Sequence, residues 1–328
     1  MASRKSGSYG RKKKPARNGK KSRGKSKRTI GFLGATNPRV WSKFIATFEE
    51  ALRGRGWVNG GNASIVYRWA QGEAGNYKKF AKEFVDKDVD IIVTSGTMPA
   101  LAVKKETLKA ATKPSSAIPV VVAALAAPVK SGLVADFAHP GGNITGMSNE
   151  QINLASARLD AFRSVVEMSR LGILANPDAS NAKKEMDDVY GFANNLGITP
   201  VTCQVTEAEE ITAKIKELKD KVDALYVCTD AFLTTHQVAI HVAAANAGLP
   251  TMHAFREYVE TGGLMSYGPN FRTIFQRAAE LVDKILRGAS PANLPIKKLK
   301  KNELVISRST AQALGVTIPQ GIKADIIE

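Results

Sequence analysis

The residues best suited to chemistry in this 328-residue chain are short polar clusters, each of which follows an apolar run. In the first half they are Gly34-Ala35-Thr36-Asn37, Ser95-Gly96-Thr97 and Leu125-Ala126-Ala127-Pro128; in the second, Asn176-Pro177, Thr229-Asp230 and Phe255-Arg256. Ser, Thr and Asn offer neutral hydrogen bonds, and clusters that open helices also offer backbone N–H groups and the positive end of the helix dipole. That chemistry is recognition of a small polar molecule, a carboxylate or other small anion above all. The candidate ligand-binding residues are Thr36, Asn37, Ser95, Gly96, Thr97, Ala127, Asn176, Thr229, Asp230, Phe255 and Arg256. Each taken alone reads equally well as a helix cap; their convergence on one crevice is what favours a site. Arg256 has two readings, a two-pronged clamp on a carboxylate or a surface pair with Glu257 or Glu260.

Catalytic patterns are missing. Ser95-Gly96-Thr97 lacks the spacing of a nucleophile elbow, Gly31-Phe32-Leu33-Gly34 is not a dinucleotide fingerprint, and there is no phosphate-loop motif. His139, His236, His241 and His253 show no metal spacing, and His236 and His241 stand five apart, so they do not share a helix face cleanly. Cys203 and Cys228 lie in apolar runs without a CxxC pattern and read as small core residues. No enzyme activity, metal or cofactor is expected.

The elements that must hold these clusters alternate between strand and helix. Strand patterns fall at Ile30–Leu33, Ile65–Tyr67, Ile91–Val93 and Val120–Val122, and again at Leu171–Leu174, Val201–Val205, Leu225–Val227 and Thr251–Ala254. Between the first two, Val40, Trp41, Phe44, Ile45, Phe48 and Leu52 recur at helical spacing. Thr97 is expected to cap the next helix, with Pro99 in its first turn. Thr206 to Glu209 reads as a capping box, and Gly197 and Gly248 as helix stops. The order repeats: Val89-Asp90-Ile91-Ile92-Val93 matches Val222-Asp223-Ala224-Leu225-Tyr226, and each leads through a helix to a proline-led strand at Pro119 or Pro250. One βαβαβαβ unit used twice predicts two doubly wound, Rossmann-like α/β lobes with parallel sheets. In such sheets ligands bind beyond the carboxyl ends of the strands, where the clusters lie. A further strand at Leu264–Tyr267, a helix capped by Asn270 and a last strand at Glu303–Ile306 predict that the chain returns to the first lobe. The expected division is a basic tail at 1–28, a first lobe from 29–143 plus 264–293, and a second from 144–263 plus 294–328.

The net charge is +17, and residues 1–28 hold thirteen Lys or Arg with no Asp or Glu, leaving +4 on the other 300 residues. The basicity is therefore a property of the tail, and the body is not read as a nucleic-acid binder. The tail has too few apolar side chains to offset the entropy of ordering, so it reads as disordered. Weak, salt-sensitive attraction to nucleic acid or anionic membrane is expected of it. It has no apolar h-region, so it does not read as a signal peptide.

Several stretches resemble the ABC transporter substrate-binding family that includes tryptophan- and tyrosine-binding components. They are Trp57-Val58, Tyr67-Arg68-Trp69-Ala70, Pro140 to Gly146 (PGGNITG), Phe255 to Gly268 (FREYVETGGLMSYG), and Leu304-Val305-Ile306 ahead of Ala311, Leu314 and Gly315. The similarity runs from about Thr29 to the end and is most specific at Phe255–Gly268. It implies a type I periplasmic-binding-protein fold: two lobes joined by three crossings, closing a hinged cleft on a ligand. It also implies a small polar ligand such as an aromatic amino acid or related carboxylate, a membrane permease and an ATPase as partners, a monomer, and a periplasmic or extracytoplasmic location. Two departures stand out. The basic tail replaces the usual secretion signal or lipid anchor, which leaves a cytoplasmic place open. Ala127-Pro128 stands where members commonly carry Asp-Pro. The alternative reading is a cytosolic ligand-sensing regulator built on the same core; it would need a helix-turn-helix module, for which the tail lacks apolar periodicity.

Overall fold

The computed structural model describes residues 27–125, 127–148, 154–299 and 302–328. All but the last two residues of the basic tail, and with them its expected disorder, lie outside the described residues; Arg28 already belongs to the first strand.

The strands fall into two sheets. The first runs β2 (Ala63–Trp69), β1 (Arg28–Gly34), β3 (Ile91–Thr94), β4 (Val120–Leu125), β5 (Ile144–Ser148) and β11 (Lys297–Lys298), every neighbour parallel. The second runs β7 (Thr199–Gln204), β6 (Arg170–Ala175), β8 (Ala224–Val227), β9 (Thr251–His253), β10 (Met265–Pro269), β12 (Asn302–Ser307) and β13 (Asp325–Ile327). It is parallel except where β10 meets β12. The central strands read as unbroken apolar runs because helices cover both faces.

One face of the first sheet packs on α1 (Pro38–Arg53) and α10 (Phe271–Leu286), through Phe32, Trp41, Phe44, Phe48, Ile274 and Phe275. The helical spacing in α1 puts Trp41, Phe44, Phe48 and Leu52 on the buried face, and Asn37 starts the helix by accepting a hydrogen bond from the Val40 N–H at 3.0 Å. Burying one such ring contributes about 1.5–3 kcal/mol. The other face packs on α2 (Ala74–Asp86) and α3 (Thr97–Ala110) through Phe84, Ile92 and Val103. In the second sheet, α4 (Ala155–Arg163) and α5 (Ser180–Asn195) cover one face. The other is covered by α6 (Glu210–Lys216) and α8 (Gln237–Asn246). Short α7 (Ala231–Thr235), α9 (Arg256–Val259) and α11 (Arg308–Ala313) complete the lobe.

The chain passes between the sheets three times: from β5 to α4, from β10 to α10 and from β11 to β12. As expected, α10 returns to the first lobe. Three strands fall differently from the expected division. Ile144–Ser148 pairs with β4 in the first sheet, because Gly146 presents no side chain to the Val122 carbonyl and lets the strands approach. Leu264 onward was expected in the first lobe, yet β10 pairs with β9 and β12 in the second, Met265 lying opposite both Met252 and Ile306. Lys297–Lys298 pairs with β5 in the first.

Local expectations fare unevenly. Gly197 and Gly248 do end their helices with positive φ, 73° and 68°. Gly96, at φ 90°, precedes α3, and Thr97 is its first residue rather than its cap. The Thr206 box is replaced by Glu210, which accepts from the Thr206 N–H at 3.2 Å.

Candidate ligand-binding cleft

A doubly wound sheet offers a crevice where neighbouring strands send their connections in opposite directions. In the first sheet that point lies between β1 and β3, in the second between β6 and β8. The residues just past these four strands are Thr36–Asn37, Ser95–Thr97, Asn176 and Thr229–Asp230, so seven of the sequence candidates besides Gly96 occupy the two switch points.

On the first side, Thr36 is 2 % exposed, and its buried hydroxyl finds no hydrogen-bond partner among the described residues. Its carbonyl accepts from the Gln71 N–H at 3.0 Å, which ties the loop after β1 to the loop after β2. Asn37 is spent on capping α1. Ser95 is buried, and the Gly96 N–H donates to the Ala124 carbonyl at 2.9 Å. Behind them stands a group of rings. Phe32 meets Trp41, Tyr67 and Trp69 at centroid distances of 6.3, 5.3 and 5.9 Å, and Gly34 lacks the Cβ that would collide with the Trp69 ring.

On the second side the groups are ionisable. Asp230 caps α7, accepting from the Phe232 and Leu233 N–H groups at 3.0 and 3.2 Å and from the Asn176 side-chain amide at 3.2 Å. Burial pushes its carboxyl above the ordinary aspartate range, against the pull of those hydrogen bonds. No Lys or Arg pairs with it among the described residues. The Asn181 amide donates to the Thr229 carbonyl at 2.6 Å, and the buried Thr229 hydroxyl has no partner among the described residues. Beneath lies a buried network centred on Glu185. One of its oxygens accepts from Arg158 at 2.6 Å and from the Tyr226 hydroxyl at 2.7 Å, and the other from the Thr229 N–H at 2.8 Å. Arg158, fully buried, also donates to the Tyr267 carbonyl at 2.8 Å.

The lobes touch across the crevice. Tyr77 of α2 is buried and its phenol is pushed up by burial and then by the charge of Asp230. Gly72, after β2, lies against the backbone of Phe232. On the hinge side, Glu260, which ends α9, takes Lys43 of α1 at 2.5 Å and Arg272 of α10 at 2.7 Å.

The remaining candidates sit one strand away, after β4 and β9. Ala127 adopts φ 46°. Phe255 packs on Phe271 at 4.2 Å between ring centres, joining the lobes rather than standing open. Arg256 turns to three carboxylates of its own lobe: Asp325, Glu303 at 3.6 Å and Glu260 at 3.9 Å. The structure thus favours its ion-pair reading over the clamp, with two partners that sequence proximity did not suggest. Sequence reasoning missed Gly72, Tyr77, Arg158 and Glu185. Glu185 offered no signal within its highly charged helix, and Gly72 read only as a turn.

Neither of two surface hollows, of about 120 Å³ beside Trp57 and about 220 Å³ beside Arg28, lies at these strand ends. Among the described residues there is no cluster of His, Cys, Asp or Glu fit for a metal, and no helix long and apolar enough to cross a membrane.

Two α/β lobes joined by three crossings define a type I periplasmic-binding-protein-like core, the kind that holds a solute between its lobes. Residues 41–326 match the family model described as ABC transporter substrate binding protein, and the chain belongs to that family. A tyrosine-binding protein of Clostridioides difficile (strain R20291) is 26 % identical over 310 residues, 94 % of this chain and 86 % of that protein. A crystal structure of a conserved domain protein from Vibrio cholerae superposes with a TM-score of 0.81 at 25 % identity, covering 92 % of this chain and 99 % of that one. An ABC domain from Streptococcus pneumonia in complex with L-Trp gives 0.80 at 24 % identity, covering 92 % and 100 %. The protein is a solute-binding component of an ABC transporter.

Proposed function

We propose that the solute is an aromatic amino acid, held with its amine at Asp230 and its carboxylate toward the N–H groups that open α3 at Ser95–Thr97. The observation that carries this reading is Asp230: a carboxylate at the second switch point, burdened by burial and without a cationic partner among the described residues. An ammonium group relieves that burden, since a charge-assisted hydrogen bond is worth about 1.5–3 kcal/mol. The opposite side is neutral and rich in donors, which suits the other end of a zwitterion. The ring falls among Trp69 at the end of β2, Tyr77 in the first turn of α2 and Phe232 in the first turn of α7. The tyrosine-binding relative and the structure with L-Trp support the choice of ligand.

The protein then acts without chemistry of its own. As a monomer outside the cytoplasm it closes on its ligand and presents it to a membrane permease driven by an ATPase. Titration calorimetry with L-tryptophan and L-tyrosine, set against indole-3-propionate and 3-(4-hydroxyphenyl)propionate, tests the assignment. The amino acids bind and the two acids lacking the amine bind at least tenfold more weakly. Equal binding of both pairs overturns the role of Asp230.

A further inference from the structure

Gly72 sits on the rim of the first lobe, and the loop that carries it cannot retreat. The Ala70 N–H donates to the Gly34 carbonyl at 2.9 Å, the Gln71 N–H to the Thr36 carbonyl at 3.0 Å and the Gly72 N–H to the Ala35 carbonyl at 2.7 Å. Three successive hydrogen bonds therefore fasten the loop after β2 to the loop after β1. Opposite stands the first turn of α7, fixed by the Asp230 cap. A Cβ at position 72 would lie 3.1 Å from the Phe232 Cα, 3.4 Å from its nitrogen and 3.6 Å from the Ala231 carbonyl carbon. All three atoms are backbone, so no side chain can swing aside to make room. A methyl group there is accommodated only if one backbone gives by a few tenths of an ångström, which eases the two lobes apart at this contact.

We propose that Gly72 sets the closure of the cleft: its missing side chain lets the rim of the first lobe settle on the Phe232 backbone, and this contact fixes how the lobes meet around a ligand. The inference rests on the reading of the protein as a cleft-closing binder, and it names a residue whose role is to position the lobes, not to touch the solute. The contact bears on recognition directly. The Phe232 N–H that faces Gly72 also donates to the Asp230 carboxylate, so lobes held apart here are held apart at the charged end of the site. Tyr77, five residues further along, meets the same carboxylate's field.

Gly72 also has φ +82°, which any L side chain resists, so strain must be separated from contact. The molecule supplies the control. Gly60 has φ +85° and nothing within 4 Å of where a Cβ would stand. Gly60→Ala thus brings the same backbone strain without the contact.

The experiment compares wild type, Gly72→Ala and Gly60→Ala by calorimetric titration with L-tryptophan and L-tyrosine, and by hydrogen exchange at the Phe232 and Leu233 amides. Overpacking a tight contact weakens the closed form enough to lower affinity roughly tenfold. Gly72→Ala is expected to show that loss and faster exchange at both amides, while Gly60→Ala binds within about twofold of wild type. Wild-type affinity and exchange in Gly72→Ala overturn the proposal, and so does an equal loss in Gly60→Ala, which assigns the effect to strain. If wild type binds neither amino acid, the ligand assignment fails, and exchange in the ligand-free proteins still decides the closure claim. Faster exchange confined to Gly72→Ala upholds it, and equal exchange in both variants overturns it.

Discussion

The two sides of the crevice solve the same topological problem with opposite chemistry. Among the described residues just past β1, β3 and β4 the first lobe presents Thr36, Asn37, Ser95, Gly96, Thr97 and Ala127, none of them ionisable, backed by rings. Past β8 and β9 the second lobe presents Asp230, Arg256 and Glu257, and behind Thr229 lies the Arg158–Glu185–Tyr226 network. A duplicated fold has kept its strand order and divided its polarity. The neutral side can be tuned by packing. Apart from Asp230, the charged side is secured by pairing, as Arg158 with Glu185 and Arg256 with Glu303 show, so single changes in those pairs leave uncompensated charge.

That contrast is most sharply broken at Glu185. Glu185→Ala strands the Arg158 guanidinium in the core, and losing one partner of a buried pair costs about 3–5 kcal/mol. Urea unfolding is expected to show that loss; a cost under about 1 kcal/mol would mean that the network is not what braces the second side.

Next comes pH. Burial raises the Glu257 carboxyl from its ordinary 4.5 to about 7, with Arg272 at 3.8 Å opposing the shift. A raised folded-state pKa means that the stabilising contribution is complete below about 4.5 and is lost as pH rises through about 7, on the order of 3 kcal/mol in all. Glu257→Gln should flatten that part of the stability curve, as followed by melting temperature between pH 4.5 and 8. An unchanged slope removes Glu257 as its source.

Asp230→Asn should weaken an amine-bearing ligand by about 1.5–3 kcal/mol while leaving the deaminated analogue's binding nearly unaltered. In wild type the amine needs the ionised carboxylate. Affinity therefore falls as pH drops through the Asp230 pKa, which lies above the usual 3.8. Calorimetry across pH reads both effects. The smallest change belongs to the neutral side. Thr36→Val should cost about 0.5–1.5 kcal/mol of affinity and show no pH dependence of its own. A larger loss at Thr36 than at Asp230 would reverse the assignment of the two sides.

Much of this was legible in the sequence, because strand–helix alternation fixes a parallel sheet and a parallel sheet fixes where its carboxyl ends point. Thr36, Ser95, Asn176 and Asp230 could be named from that alone. What was not legible depends on partners far along the chain. Arg256 kept its clamp reading beside a pair with Glu257 or Glu260 because Glu303 and Asp325 stand 47 and 69 positions away. Phe255 looked like a site aromatic because its partner Phe271 belongs to the other lobe. Glu185 looked like one more exposed carboxylate of α5 until Arg158, 27 residues earlier, was seen to reach it. The strand Met265–Pro269 was placed in the wrong lobe because an apolar run does not say which sheet edge it will join.

The late return of the chain also has a consequence for how the protein is made. Ile30, Phe32, Val93 and Val121 are covered by α10, which does not begin until Phe271. The second sheet lacks β12 and β13 until residues 302–327. A ribosome that has released 260 residues has therefore delivered most of both sheets and completed neither. Until the last fifth of the polypeptide emerges, the first half shows a bare apolar face and the second an open sheet edge at β9, and it is in that interval that a chaperone has most to hold.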